Sequence, residues 1–332
     1  MRQKMLRRIN AKFVEIFHGQ FYYPMIYASW WHALFHKPKF AVRSNSYLAA
    51  VPNPGAGIGH QMANWIAGLW FSRVFSLNHA HIPFSTPQWE ALLGFGEGKD
   101  TLNSLVKNKG YRKVALPLFD EFNQFEVDRI KKIIASYNNK KIIFVLEQDQ
   151  FYRDQFGVID GIKDRFYNAA ARTKDQLRYS SEYFNIAIHV RRGDIVVGQI
   201  NGNPNLLMRW QDTQYFKKIL ASVLTGLVAN KVVKIYIFSQ GSREELAEFD
   251  EFSNVEYCLE AGAQESFLHM VFADLLITSK SSFSYKPALL SRGIKVSPRN
   301  FWHGYPQDKK WIIADEDGNL DIQAMDKLKA AH

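Results

Sequence analysis

One cysteine, Cys258, stands in 332 residues. That excludes an internal disulfide framework and a multi-cysteine metal site, so nothing here calls for an oxidising compartment and a cytoplasmic location is the simpler expectation. Long apolar runs are missing too. The most aromatic early stretch, residues 21–35, is broken by Pro24 and His32 and falls short of the roughly 20 apolar residues that a spanning helix needs. No small-residue cleavage site follows a short apolar core, so neither a transmembrane anchor nor a secretory signal is expected. Internal repeats and low-complexity tracts are absent. The one glycine-rich turn, at Gly55, Gly57 and Gly59, lacks both the G-x-G-x-x-G spacing and the lysine of a P-loop.

Acidic residues are scarce at the start. Residues 1–43 contain Arg2, Lys4, Arg7, Arg8, Lys12, Lys37, Lys39 and Arg43 against Glu15 alone, so this stretch carries +7 of the formal +10. Two readings remain open for this basic, aromatic segment: a helix packed on the body of the protein with solvated lysines, or peripheral contact with an anionic membrane surface through Trp, Tyr and cations. No recognised nucleic-acid module surrounds these charges, and no nucleic-acid partner is expected.

A length of 332 residues with 47% hydrophobic content suits two domains of roughly 150 residues each. From residue 185 onward, strand-length apolar runs alternate with segments of helical period: strands over 185–190, 232–239, 255–259, 275–279 and 294–297, helices over 213–228, 242–249, 265–273 and 283–291. Ser242 and Glu245 have capping-box spacing. The first half shows the pattern once, as a strand over 47–51, the glycine-rich turn and a helix over 60–77. A helix over 125–137, a strand over 140–146 and a mainly helical stretch over 151–176 follow. The expected class is α/β with parallel sheets. Three segments result: 1–45, a basic aromatic start; 46–180, a first α/β domain; and 181–332, a second α/β domain, with the boundary in the polar stretch 178–182.

Three clusters carry chemistry. The run Phe184-Asn-Ile-Ala-Ile-His-Val-Arg-Arg-Gly-Asp194 is a strand that ends in His189, Arg191, Arg192 and Asp194. Paired guanidinium groups at such an edge suit a diphosphate, which takes charge-assisted bidentate hydrogen bonds; the alternative is a surface arginine pair with His189 satisfied in the core. The glycine-rich turn lets backbone amides approach an anion, and His60, Gln61 and Asn64 add polar groups behind it. In the third cluster Asp274 precedes an apolar strand that empties into Ser281 and Ser282 at a helix start, where hydroxyls and amides meet phosphate or ribose oxygens or simply cap the helix. The run Asp315-Glu-Asp317 reads as a solvated turn rather than a metal site.

Residues 189–194 resemble the H-x-R-R-x-D motif of the α-1,2- and α-1,6-fucosyltransferases, and Gly55 to Asn64 is similar to their earlier glycine-rich G-x-G-x-Q element. Residues 266–284 resemble their third shared region, an aspartate, an apolar strand and a Ser-Ser pair. The resemblance implies a GT-B fold, two Rossmann-like domains whose parallel sheets face a central cleft, and inverting, metal-independent transfer of fucose from GDP-fucose to a glycan or glycolipid. No cofactor is expected beyond the donor substrate. Carried over by position, Arg191 and Arg192 hold the donor phosphates and, with Asp194, form the catalytic set; His189 and Asp274 line the guanosine site; Ser281 and Ser282 stand near the phosphates; Gly57, Gly59 and His60 close over the donor. Residues 195–204 lack the carboxylate proposed as base in the α-1,6 group, leaving Asp194 and Asp212 as the nearest in sequence. A GT-B enzyme using another nucleotide sugar, or a non-catalytic binder of nucleotide or glycan, fits the same motifs.

Overall fold

The computed structural model describes residues 2–37, 45–53, 55–146, 152, 154–193, 195–196, 202, 204–227 and 231–330. In chain order the elements are α1 (Arg2–Phe17), a 3-10 turn (Tyr23–Ile26), α2 (Ala28–Phe35), β1 (Tyr47–Ala50), α3 (Ile58–Val74), β2 (Asn78–His79), α4 (Pro87–Leu93), α5 (Leu102–Lys109), β3 (Arg112–Ala115), α6 (Gln124–Ser136) and β4 (Ile142–Leu146). Then follow α7 (Ile159–Asn168), a 3-10 segment (Ala170–Lys174), β5 (Tyr183–Val190), α8 (Pro204–Leu207), α9 (Thr213–Gly226), β6 (Val232–Ser239), a 3-10 helix (Glu244–Glu251) and β7 (Val255–Tyr257). The chain closes with α10 (Ala263–Phe272), β8 (Leu275–Ile277), α11 (Ser282–Leu290), β9 (Ile294–Pro298), β10 (Trp311–Ala314) and α12 (Ile322–Ala330). Two compact units result. The first is Met1–Ala56, His60–Thr86 and Phe95–Tyr152, and the second is Gly57–Gly59, Pro87–Gly94 and Arg153–His332.

Both units are α/β with wholly parallel sheets, as the alternating pattern predicts. In the first the strand order is β2-β1-β4-β3. Strand β4 is an unbroken apolar run, Ile142 to Leu146, because a central parallel strand is covered on both faces. Caps define its helices: Thr101 Oγ1 accepts from the Ser104 amide at 3.1 Å to start α5, and Asn123 Oδ1 accepts from the Phe125 amide at 3.1 Å to start α6. The basic start of the chain packs on this unit. Val14 and Tyr23 are buried with Leu118, Ser29 Oγ donates to the Ala115 carbonyl at 2.9 Å, and the His32 ring stacks on Tyr137 with centroids 3.7 Å apart. Among the described residues no helix is long and apolar enough to cross a membrane.

The second unit has the order β10-β9-β8-β5-β6-β7. The chain runs outward from β5 through β6 to β7, then returns to the other side of β5 and runs outward through β8 and β9 to β10. This is the doubly wound order with its reversal between β5 and β8, the place where open α/β sheets hold ligands beyond their carboxyl ends. Ile186, Ile188, Ile235, Ile237, Leu275 and Ile277 of the sheet pack against Phe216, Ile219, Leu220 and Val223 of α9. The helical period of α9 is what makes that face, and Asp212 starts it by accepting from the Tyr215 amide at 2.8 Å.

Three expectations need correction. The chain passes into the second unit for the last time at residues 152–153, upstream of 178–182, because α7 belongs there: Phe166 and Tyr167 lie 6.1 and 5.7 Å from Phe272, and the Tyr167 hydroxyl donates to the Leu290 carbonyl at 3.2 Å. The segment after Ser242 is a 3-10 helix, yet the capping-box bonds form, Ser242 N–H to Glu245 Oε2 at 2.8 Å and Glu245 N–H to Ser242 Oγ at 3.3 Å. Strand β10 and helix α12 escaped the sequence reading, since β10 is only four residues long and the turn after it is acidic. In that turn Asp315 accepts from the amides of Asp317 and Asn319 at 2.9 and 2.8 Å, which is the solvated-turn role expected of the run.

Asp274 is also reassigned. Parallel register pairs Ile186 with Leu275, so Asp274 stands beside Asn185 at the amino edge of the sheet, and its Oδ2 accepts from the Asn185 amide at 2.8 Å and from Asn185 Nδ2 at 3.2 Å. His189 lies four residues further along β5, about 13 Å away at the rise of a strand. The aspartate clamps the starts of β5 and β8. Asp274→Ala is expected to lower unfolding stability in denaturant titration by about 1 kcal/mol; an unchanged midpoint would remove this structural role.

Candidate functional site

At the carboxyl edge of the second sheet, the two central strands are tied together across the reversal. His189, the penultimate residue of β5, is buried, and its Nδ1 lies 2.7 Å from Ser279 Oγ, two residues beyond β8. The Ser279 amide in turn donates to Ser284 Oγ at 3.2 Å, linking β8 to the first turn of α11. Burial, with Arg191 as a second and smaller cause, pushes the His189 imidazole down to about 3. It is therefore a neutral hydrogen-bonding group, not a cation, at ordinary pH.

The two arginines have different fates. Arg192 is only 3% exposed. Its Nη1 donates to the carbonyls of Gln211 and Arg191, both at 2.9 Å, its Nη2 donates to Thr213 Oγ1 at 3.0 Å, and its guanidinium lies 4.3 Å from the centre of the Trp210 ring. A buried guanidinium with these partners holds the loop after β5 against the start of α9. The sequence reading gave Arg192 to a donor phosphate; the structure gives it to the scaffold. Arg191 is half-buried and faces a cavity. Gly193, at φ 74°, turns the backbone just after them; a β-carbon there would stand 2.6 Å from Gln240 Oε1.

The cavity has a volume of about 300 Å³ and lies wholly within the second unit. The end of β5 contributes His189, Val190, Arg191 and Arg192, and the end of β6 contributes Phe238, Ser239 and Gln240. Trp89 of α4, Phe283 of α11 and Ile58 provide apolar wall; Ser266 of α10 and the backbone around Ala261 and Ala263 complete it. The aromatic side is fixed by edge contacts, Trp89 on Phe267 at 5.5 Å and Phe267 on Phe283 at 6.1 Å. This lining has one flat apolar side, a few hydroxyl and amide groups, and two arginines, of which Arg192 is already paired with scaffold acceptors. It suits a planar, hydrogen-bonding ring system with an anionic tail.

The remaining predicted residues separate into those that meet here and those that do not. Gly57 is at the cavity, and a β-carbon on Gly59 would come within 2.6 Å of Ser282 Cβ and 2.7 Å of its carbonyl carbon, so the turn approaches the start of α11 as closely as backbone allows. Ser281 caps α11, its Oγ accepting from the Phe283 amide at 3.2 Å, and Ser282 is buried behind it. Both serines shape the helix start, and neither lines the cavity. His60 is exposed on α3 and does not line it either. Gln61 is a structural brace: its Nε2 donates to the Ala56 carbonyl and to Ser85 Oγ, both at 2.8 Å, and its Oε1 accepts from the Ser85 amide at 2.9 Å. Asn64 likewise donates to the Val51 carbonyl at 3.0 Å. Asp194 lies outside the described residues, and Asp212 is occupied as the cap of α9. Asp274 is at the opposite edge, as described above.

Sequence reasoning missed Trp89, Phe238, Ser239, Gln240, Ser266 and Phe283. Ser239 and Gln240 were within reach, because they follow the predicted strand 232–239 where a parallel sheet presents its ligand edge. Trp89 had no local signal; it comes from a short helix about a hundred residues earlier in the chain. Gln211 was missed as well, although it joins two loops: its carbonyl accepts from Arg192 and its Oε1 accepts from the Lys280 amide at 2.7 Å.

No family model matches the chain, and no curated protein matches it. Among solved structures it is similar to POFUT1 in complex with GDP-fucose, at 11% identity and a TM-score of 0.45, over 77% of this chain and 98% of that one. It is similar to POFUT1 in complex with GDP at 12% identity and a TM-score of 0.42, over 77% and 98%. Fucosyltransferase NodZ from Bradyrhizobium aligns at 13% identity and a TM-score of 0.38, over 75% and 94%.

Two outcomes follow from the geometry. Arg192→Ala strips a buried network of its cation and is expected to cost about 3 kcal/mol of stability in chemical denaturation; a loss below about 1 kcal/mol would mean that the guanidinium is not structural. For His189 the folded pKa of about 3 lies below the ordinary value of 6.5. The unfolded chain alone takes up the proton between these values, so stability falls as pH drops from 6.5 towards 3, by up to about 1.4 kcal/mol per pH unit, and is unaffected above that window. His189→Gln should remove this slope from a pH series of unfolding curves.

Proposed function

We propose that the second unit binds a nucleoside diphosphate sugar in this cavity and that the protein is a glycosyltransferase, with GDP-fucose as donor. The observation that carries the reading is the position of Arg191: at the carboxyl end of the central strand, beside the reversal of strand order, lining a cavity whose other side is aromatic. A base stacks on the Trp89 and Phe283 side and bonds to Ser239, Gln240 and Ser266. The diphosphate lies at Arg191 with the backbone of the glycine turn nearby. As the bond to the sugar breaks, negative charge grows on the departing diphosphate, and a guanidinium held in a partly dry site stabilises that charge more than the ground state. Such leaving-group stabilisation suits inverting transfer without a divalent cation, and the motif resemblance supplies the identity of the donor. The acceptor, on this reading, is a glycan or glycolipid.

Neutral His189 serves as a positioning residue. It fixes Ser279 and hence the loop that carries Ser281 and Ser282 to the start of α11. Arg192 does the same for the loop from which Arg191 projects. Among the described residues no Asp or Glu lines the cavity, which favours a second reading, a nucleotide-binding protein without turnover. Release of fucose or GDP from GDP-fucose above the uncatalysed rate would exclude that second reading.

Calorimetric titration with GDP, UDP and CDP tests the site. GDP is expected to bind tightest, and Arg191→Ala to weaken it by roughly 10- to 100-fold, the worth of a charge-assisted bond, with an unfolding midpoint close to that of the parent. Unaltered GDP affinity in Arg191→Ala would overturn the assignment.

A further inference from the structure

The first unit presents an apolar face that its fold leaves uncovered. On α1, residues 13, 14 and 17 turn inward, Val14 buried and Phe13 and Phe17 packed beside it. Met5, Ile9 and Ile16 are exposed and spaced four and seven apart, so they form one stripe on the outward side of the helix. The stripe continues along the chain. Phe21 is 80% exposed in the turn after α1, and Ile26 is 58% exposed in the 3-10 turn. Trp31, Leu34 and Phe35 share one face of α2 at the three- and four-residue spacing, with Phe35 76% exposed. His18, three residues before Phe21 in the chain, lies 3.3 Å from Glu126 in the first turn of α6, and near that turn Phe122 and Phe125 are also exposed, Phe125 at 86%.

Scattered apolar residues on a surface are ordinary, but Phe21, Trp31, Phe35 and exposed aliphatic residues on consecutive elements, with Phe122 and Phe125 exposed at the start of α6, mark an interaction site. Its chemistry points to one partner. The same segment carries the +7 excess of residues 1–43, and α1 holds Arg2, Lys4, Arg7, Arg8 and Lys12 against Glu15. Another protein with this surface would repel it, whereas anionic headgroups above hydrocarbon satisfy cations and aromatics together. The 3-10 turn and short α2 cannot span a bilayer and have the size to lie in its interface. We propose that this face of the first unit docks on an anionic lipid surface, with Phe21, Phe35 and Phe125 entering the headgroup and acyl boundary and the cationic excess of the segment, exposed Lys12 and Lys37 included, drawing it to lipid phosphates. The inference is independent of the nucleotide reading.

Flotation of the full chain with vesicles tests it. The protein is expected to float with phosphatidylcholine vesicles containing phosphatidylglycerol and to remain below with phosphatidylcholine alone, and added salt should weaken the association. The triple variant Phe21→Ser, Phe35→Ser and Phe125→Ser changes exposed positions only and should fold with the parent's unfolding midpoint while losing roughly tenfold or more in vesicle affinity. Failure of the parent to float with anionic vesicles would overturn the proposal. So would equal binding by the triple variant, which would reduce the contact to charge alone, or a dimer of the parent in sedimentation that the triple variant abolishes, which would assign the face to a second copy of this chain.

Discussion

A guanidinium taken out of water must be given acceptors, and at the carboxyl edge of the second sheet that requirement organises everything nearby. Arg192 draws the Gln211 carbonyl, the Thr213 hydroxyl and the Trp210 ring onto the loop that follows β5. Gln211, held there, receives the Lys280 amide from the loop after β8. His189 and Ser279 close the same gap from inside the sheet. The floor of the cavity is thus a hydrogen-bonded span across the reversal of strand order, and Arg191 stands on it.

This division of labour explains why two adjacent arginines are useful. Side chains alternate along an extended segment, so neighbours leave the backbone on different sides. Both line the cavity, but Arg192 is also tied into the scaffold and holds the loop that carries Arg191. A site that stabilises developing charge gains from such rigidity, because no reorganisation is then needed when the charge appears. The glycines make the same point through sterics. Gly59 lets the turn touch the backbone at Ser282, and Gly193 supplies a left-handed bend against Gln240.

The two units differ in how they meet their surroundings. The second buries its apolar residues between sheet and helices and carries a concave site. The first covers its sheet as well, yet leaves apolar side chains exposed along α1, the 3-10 turn and α2. Aromatics make up 14% of the chain; many are packed in the core, while Trp89, Phe238 and Phe283 line the cavity and Phe21, Phe35, Phe122 and Phe125 stand on the surface.

Period and punctuation in the sequence were enough to determine two α/β halves with parallel sheets, the strand that ends at His189, the glycine turn and the capping box at Ser242, since each of these depends on residues close together in the chain. What only the tertiary structure decided was the fate of polar side chains whose partners are distant. Asp274 and His189 belong to adjacent strands, but strand direction and register put them at opposite edges. Arg191 and Arg192 are neighbours in sequence, yet burial sends them to different tasks. Trp89 reaches the cavity from another part of the chain altogether. Local pattern encodes which way a residue faces; which groups it then meets depends on register and packing, which are set by the whole core at once.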